Sequence, residues 1–266
     1  MDSKFSDDLK LRFTLAETMA KVAGALALDY FQRRDTLIIE EKRNPQDVVS
    51  DADRNVEKLI REHIHRECSQ DGILGEEYGL EAGSSGFVWV IDPIDGTSPF
   101  VNGMPSWCVS IGLVFDGEPV LGIINAPVLG ETYRATKGEG AFLNDRRLAM
   151  TPTRTVQNGV TGIGANGSVS PALMGKIVET LLEKGGSFVR NGSGALMLAY
   201  VAADRLVGYY EPYMHAWDCI AAYCIIAEAG GTCRPFPTEG EAFLKGAPVL
   251  AAGPGALNDL EDLASL

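Results

Sequence analysis

A mixed α/β (α+β) chain built in layers is predicted by three features of the sequence. A long amphipathic stripe opens it, a wholly apolar strand runs into a carboxylate at Asp92, and helices alternate with short strands through the second half. Leu9, Phe13, Ala16, Ala20, Ala23, Ala27 and Tyr30 recur at four- and three-residue steps, one face of a helix. Thr36 to Glu40 reads as a short strand and Glu41 to Gln46 as a polar loop. Ser50 with Asp53 forms a helix-start box, and Val56, Leu59, Ile60 and Ile64 continue that helix. Phe87 to Ile91 is a compact apolar strand, with Pro93 expected to stop it pairing further. Cys108 to Phe115 and Pro119 to Asn125 flank Asp116-Gly117-Glu118 and read as a strand pair joined by a turn.

Further on, a strand near Val156 to Ile163 precedes a helix from Pro171 to Glu183 and a short strand Ser187 to Arg190. Ala195 to Ala203 reads as helix, Leu206 to Tyr210 as strand, and Trp217 to Ala229 as a helix ending at Gly230-Gly231. Ala247 to Ala252 is a strand and Ala256 to Leu266 a helix. There is no internal repeat and no convincing linker, and the only boundary signal falls near Thr151 to Gln157.

Composition narrows the function classes. Apolar residues make up 45% and charged residues 22% of 266, as in ordinary globular chains. No run approaches the ~20 apolar residues that span a bilayer. The polar, acidic start Met1 to Asp8 does not read as a secretory signal. The five scattered cysteines lack metal-type spacing, so reduced thiols and a cytoplasmic location are expected. A formal charge of −13 without a basic run argues against direct nucleic-acid binding. It would also repel anionic substrates unless bound divalent cations inverted the local sign.

The informative residues are carboxylates placed at element ends. Glu76 and Glu77 follow the strand-like Gly72-Ile73-Leu74, Asp92 closes a buried strand, and Asp95 precedes Gly96-Thr97 in a tight turn. Asp218 opens one helix and Asp53 lies in the first turn of another. Desolvated carboxylates repel, and a hard cation such as Mg²⁺ or Mn²⁺ is what normally holds them together. Each also has a plain structural reading. Asp53 can complete the Ser50 capping box, Asp95-Gly96 is a common turn, Asp218 can cap a helix, and Glu76-Glu77 can be an exposed pair.

Taken together, Gly75-Glu76-Glu77, Asp92-Pro93-Ile94-Asp95-Gly96-Thr97 and Trp217-Asp218 leading to Glu228-Ala229-Gly230-Gly231 resemble the inositol monophosphatase family, within the lithium-sensitive, magnesium-dependent sugar phosphatases. Lys42, Asp47 to Asp53 and Asp204 to Glu211 add weaker support. The resemblance implies a layered αβαβα sandwich over residues 1–266, with a metal-binding half at 1–150 and a half at 151–266 that completes the substrate site. It implies two or three Mg²⁺ ions. Glu76, Asp92 and the Ile94 carbonyl would bind the first, and Asp92, Asp95 and Asp218 the second. Thr97, paired with Asp53, would help Glu76 activate a metal-bound water for in-line attack. The Gly96 and Thr97 amides would hold phosphate oxygens. Gly192-Ser193-Gly194 and Glu211, with Asp95 and Asp218, would meet the substrate. Ser98-Pro99 departs from the family pattern, which puts local substrate contacts in doubt.

The reaction is demanding, since phosphate-monoester hydrolysis can need accelerations near ~10²¹. Two metals roughly 3.5–4 Å apart supply much of this by clamping the attacking and leaving oxygens. Other routes lack their residues. No Cys is followed by Arg six positions later, and there is no Walker loop. His63 and His65 read as solvated surface, and His215 as structural or near-site. Gly162-x-Gly164-x-x-Gly167 matches a dinucleotide fingerprint, but no acid about twenty positions on clearly closes a second parallel strand, so it reads as a glycine-rich loop.

For substrate, Glu211 and Gly192 to Gly194 favour a phosphorylated polyol, myo-inositol 1-phosphate first. Asp71 to Gly79 looks like the corresponding stretch of histidinol-phosphate phosphatases, and fructose 1,6-bisphosphate and nucleotide phosphates stay open. A role of another class, as an RNA- or transcription-complex accessory protein with secondary catalysis, also stays open. Homodimers are expected by family analogy.

Overall fold

A computed structural model describes residues 3–44 and 47–266, and side chains outside positions 1–4 and 41–49. Met1 and Asp2 of the acidic start, Pro45-Gln46 of the predicted polar loop, and the side chains of Lys42 and Asp47-Val48-Val49 therefore lie outside the described residues.

Helix α1 (Ser3–Gln32) is followed by a 3-10 turn at Arg34–Thr36, then β1 (Ile39–Asn44), β2 (Asp47–Ser50) and α2 (Asp51–Glu67). Strands β3 (Gly72–Gly75), β4 (Gly79–Glu81) and β5 (Phe87–Asp95) lead into the short α3 (Thr97–Val101). Next come β6 (Cys108–Phe115), β7 (Glu118–Ala126), β8 (Glu131–Thr136), β9 (Gly140–Leu143) and β10 (Arg146–Arg147). The second half holds β11 (Val160–Ile163), α4 (Pro171–Glu183), β12 (Ser187–Val189), α5 (Gly194–Ala202), β13 (Gly208–Met214) and α6 (Ala216–Glu228). It closes with β14 (Thr232–Cys233), α7 (Gly240–Leu244), β15 (Ala247–Ala252) and α8 (Leu257–Leu263).

Eight strands form one sheet in the order β10-β9-β8-β7-β6-β5-β3-β4, and five form another in the order β12-β11-β13-β15-β14. The hydrophobic clusters show how they stack. Alternate residues of the large sheet, Trp89, Ile91, Ile111, Leu113 and Ile123, pack with α1 and α2 on its outer face. The opposite parity, including Val90, Val114 and Ile124, joins α5 and α6 and the inner face of the small sheet, represented by Tyr209, Val249 and Ala251. Tyr210, Leu250 and Ala252 face the other way, onto α4 and α8. The result is the αβαβα sandwich, five layers set by the two-residue period of the strands.

Helix α6 comes unusually close to the large sheet. Gly112 and Gly122 pair across β6 and β7. A Cβ on Gly122 would lie 1.9 Å from the Ala221 carbonyl oxygen of α6. Only glycine admits the helix at that depth, and α6 carries Asp218 into the site.

Several sequence expectations are corrected. The polar stretch after Glu40 is not a loop as far as Asn44, because β1 runs through it and pairs with β2. Pro93 does not end β5. The strand is irregular between Asp92 and Asp95 and then pairs again, Asp95 with Cys108, because a bulge accommodates a residue that cannot donate. The turn at Asp116-Gly117 does form, with both residues at positive φ, as a two-residue hairpin demands. The strand expected from Val156 begins only at Val160, and the one expected from Leu206 runs instead from Gly208 to Met214.

Candidate active site

Four element ends meet where the small sheet approaches the large one. Asp53 stands in the first turn of α2 and shares its carboxylate between two tasks. Its Oδ2 accepts from the Ser50 amide at 2.8 Å and the Ser50 hydroxyl at 2.7 Å, completing the capping box. Its Oδ1 lies 3.2 Å from Thr97 Oγ1. That hydroxyl also lies 3.3 Å from the Ile94 carbonyl oxygen, so its one proton has two acceptors. Asp218 repeats the pattern on α6, where Oδ2 accepts from the His215 amide at 2.9 Å. The capping reading of both aspartates holds, one carboxylate oxygen serving each cap, and for Asp53 the other oxygen meets Thr97.

Asp92 and Asp95 come from the irregular end of β5. Asp92 Oδ1 accepts from the Ile94 amide at 2.9 Å, a turn that aims the carboxylate back toward the site. Asp95 is held by the N-terminus of α5, with Oδ2 accepting from the Ala195 amide at 2.6 Å and from the Ser193 hydroxyl. Ser193 also caps α5 through the Leu196 amide. Gly96, at φ 98°, turns the chain into α3, and a Cβ there would come within 2.9 Å of the Ser106 carbonyl.

Carboxylate oxygens of Asp92, Asp95 and Asp218 all lie within 4.8 Å of one another. At an effective dielectric of ~20, each ionised pair at that separation repels by about 3–4 kcal/mol. Three such pairs rival the ~5–15 kcal/mol that hold a whole domain folded. The groups respond as expected. Burial raises the Asp92 carboxyl well above its usual range, with Glu76, Asp95 and Asp218 adding to it. Burial does the same to Asp218, reinforced by Asp95 and Glu76. Asp95 is raised less, because the α5 N-terminus and Ser193 oppose its burial. Burial pushes Asp53 up to about 7, against the Ser50 hydrogen bonds. A divalent cation bound by oxygen ligands would reverse every one of these penalties, so the donor set fits hard metal ions.

Beside the carboxylates lies a cleft of about 240 Å³, lined by Asp95, Gly192, Ser193, Gly194, Glu211 and Asp218 among others. Gly192, Ser193 and Gly194 all line this cleft. Glu211 is 7% exposed. It accepts from Tyr209 OH and from Asn166 Nδ2 at 3.1 Å, and burial lifts its carboxyl to about 7. Of the departure residues, Ser98 lines the cleft. A Cβ on Gly192 would lie 2.7 Å from Pro99 Cγ, so Pro99 packs directly beneath the loop.

Some residues singled out in the sequence stand outside the site. Asp71 takes the Arg12 guanidinium with both oxygens and also Trp89 Nε1 at 3.0 Å, a buried structural knot. Glu228 accepts from the Gly138 and Gly140 amides at the β8–β9 turn. The glycine-rich Gly162 to Gly164 closes β11, and a Cβ on Gly164 would sit 2.1 Å from Glu211 Oε2, so the glycine clears room for Glu211.

Sequence reasoning missed Glu57, Arg61, Tyr209, Asn166 and Arg190. The last three line the cleft or hold Glu211. Glu57 and Arg61 carried a legible signal: charges four apart, each next to an apolar position of the buried α2 stripe.

With this geometry in place, the comparisons are specific. A model of the inositol monophosphatase family matches residues 8–264. The chain is 37% identical over 214 residues to the Nus factor SuhB of Xylella fastidiosa, covering 80% of this chain and 77% of that protein. It is 35% identical over 227 residues to the histidinol-phosphatase of Chlorobaculum parvum, covering 85% of each. The solved IMPase of Thermotoga maritima superposes with a TM-score of 0.82 at 29% identity, over 96% of both chains.

Proposed function

This chain belongs to the inositol monophosphatase family and is a phosphoric monoester hydrolase, and on that premise we propose that its substrate is a phosphorylated polyol, myo-inositol 1-phosphate first. One observation carries the metal-dependent part of this reading, the convergence of the Asp92, Asp95 and Asp218 oxygens within 4.8 Å beside a polar cleft, and Glu211 in that cleft favours a hydroxyl-bearing substrate.

Asp92, Asp95, Asp218 and Glu76, with the Ile94 carbonyl, would hold two or three Mg²⁺ ions. When bound, magnesium supplies positive charge to the phosphoryl oxygens and lowers the pKa of water. The protein's own groups do the positioning. The Thr97 hydroxyl, within reach of Asp53 and the Ile94 carbonyl, would present its lone pair to an attacking water, with Asp53 next along the proton's path. The Gly96 and Thr97 amides would orient phosphate oxygens. Glu211, held by Tyr209 and Asn166, would accept from substrate hydroxyls across the cleft. Residues 1–150 would supply the metal ligands apart from Asp218, and 151–266 most of the cleft wall, so the two halves act as one unit. Lithium inhibition and a homodimer belong to the same reading, supported by the resemblance, and a cytoplasmic location is supported by the scattered cysteines, which lack metal-type spacing.

Phosphate release compared by kcat/KM across inositol, histidinol, fructose and nucleotide phosphates tests it. Inositol phosphate should lead. A tenfold preference for histidinol phosphate would overturn the substrate, and activity equal in Mg²⁺ and in chelator would overturn the metal reading.

A second reading is favoured by the relative named Nus factor SuhB, an accessory role in a transcription complex. Binding to such a complex that is unchanged in Asp92→Asn would support it.

A further inference from the structure

We propose that Glu57 and Arg61 of α2 are a positioning pair that fixes the loop carrying Glu76, and so set the affinity of the metal site; this rests on the metal reading given above. Glu57 is fully buried, although it is charged and lies on no substrate surface. Its Oε2 accepts from the Glu77 amide at 2.7 Å and its Oε1 from the Tyr78 amide at 3.3 Å. Arg61 Nε reaches Oε1 at 2.8 Å, and the other end of the guanidinium donates to the Gly79 carbonyl at 2.6 Å. Gly75 completes the arrangement, since a Cβ there would fall 2.0 Å from Glu57 Oε1.

The pair thus touches residues 75, 77, 78 and 79 and brackets Glu76. On its other side, the Glu76 amide donates to the Ile91 carbonyl at 3.2 Å, one residue before Asp92. Burying two opposite charges costs several kcal/mol per ion and gains little stability over apolar packing. What it does provide is one fixed geometry for a loop whose neighbouring carboxylates repel it. Partners that orient metal ligands typically govern 10–100-fold in metal affinity.

The test uses the full chain, stripped of metal, with Mn²⁺ binding followed by calorimetry. Glu57→Gln should bind Mn²⁺ about 10–100-fold more weakly. It should also lower kcat, while KM for the phosphate monoester at saturating metal stays within about twofold. Gly75→Ala, which displaces Glu57 without removing it, should give the same pattern, and the double variant should be less than additive. If Mn²⁺ affinity is unchanged in both variants while Tm falls, the pair is purely structural and the proposal fails. Should Glu57→Gln not fold, Arg61→Lys keeps the charge but loses the fork, and must still weaken Mn²⁺. Asp92→Asn serves as the control: if it leaves Mn²⁺ affinity intact, the metal reading itself fails rather than this one.

Discussion

Asp53 and Asp218 each give one oxygen to a helix cap, and both stand among carboxylates that repel them when no cation is bound. The repulsion predicts opposite effects on activity and stability for Asp92, which caps no helix. Asp92→Asn should lower kcat/KM by at least ~10²-fold, the scale seen when one group stabilising transition-state charge is lost. The same change removes a buried charge from a repelling cluster, so the metal-free variant should melt at or above the wild-type temperature. A variant that is inactive and also markedly less stable without metal would contradict the cluster's electrostatics. Thr97→Val should reduce kcat while Thr97→Ser retains most of it, because only the hydroxyl bridges Asp53 and Ile94. The individual acids were legible in the sequence because element ends are where side chains converge. For Glu57 the sequence offered only its spacing from Arg61, because its partners are loop amides twenty and twenty-one residues away.

Among elements, α4 forms with the boundaries the sequence predicts, Ser170 capping it and Pro171 at its first position. Strands β8, β9 and β10 went unread. They are short, of six, four and two residues, and they exist because β7 offers an edge on which to pair. The depth of α6 is an element-scale property with a direct test. Gly122→Ala would set a Cβ against the Ala221 carbonyl and push the helix away from the sheet. Overpacking of this kind costs about 1–3 kcal/mol. Since α6 carries Asp218, Mn²⁺ affinity should fall along with the urea midpoint. Loss of stability with unaltered affinity would show that Asp218 is placed independently of helix depth.

For the whole molecule, the buried acids link stability to pH. A carboxyl held at about 7 in the fold, as for Asp53, keeps its proton where the unfolded chain has released it near 3.8. Glu211, also lifted to about 7, acts in the same sense. Their contribution is complete below pH ~4 and is lost as pH rises toward 7. Metal-free protein should therefore lose melting temperature across that window relative to Asp53→Asn, and saturating Mg²⁺ should remove much of the slope. A loss of ~2 kcal/mol would appear as roughly 4–8 °C in a chain of this size. Identical slopes with and without Mg²⁺ would refute the linkage. The charge of −13 posed this problem from the outset, and the fold concentrates it in one place. Periodicity and end-placed acids by themselves determined the layered class, most helices and the identity of the metal-site candidates, because those depend on local pattern. Only the tertiary structure brought the Asp92, Asp95 and Asp218 oxygens within 4.8 Å of one another, let α6 sit so deep at Gly122, and set the Glu57 carboxylate on the Glu77 and Tyr78 amides. Each of these depends on contacts between residues far apart in sequence, and no local pattern encodes such distances.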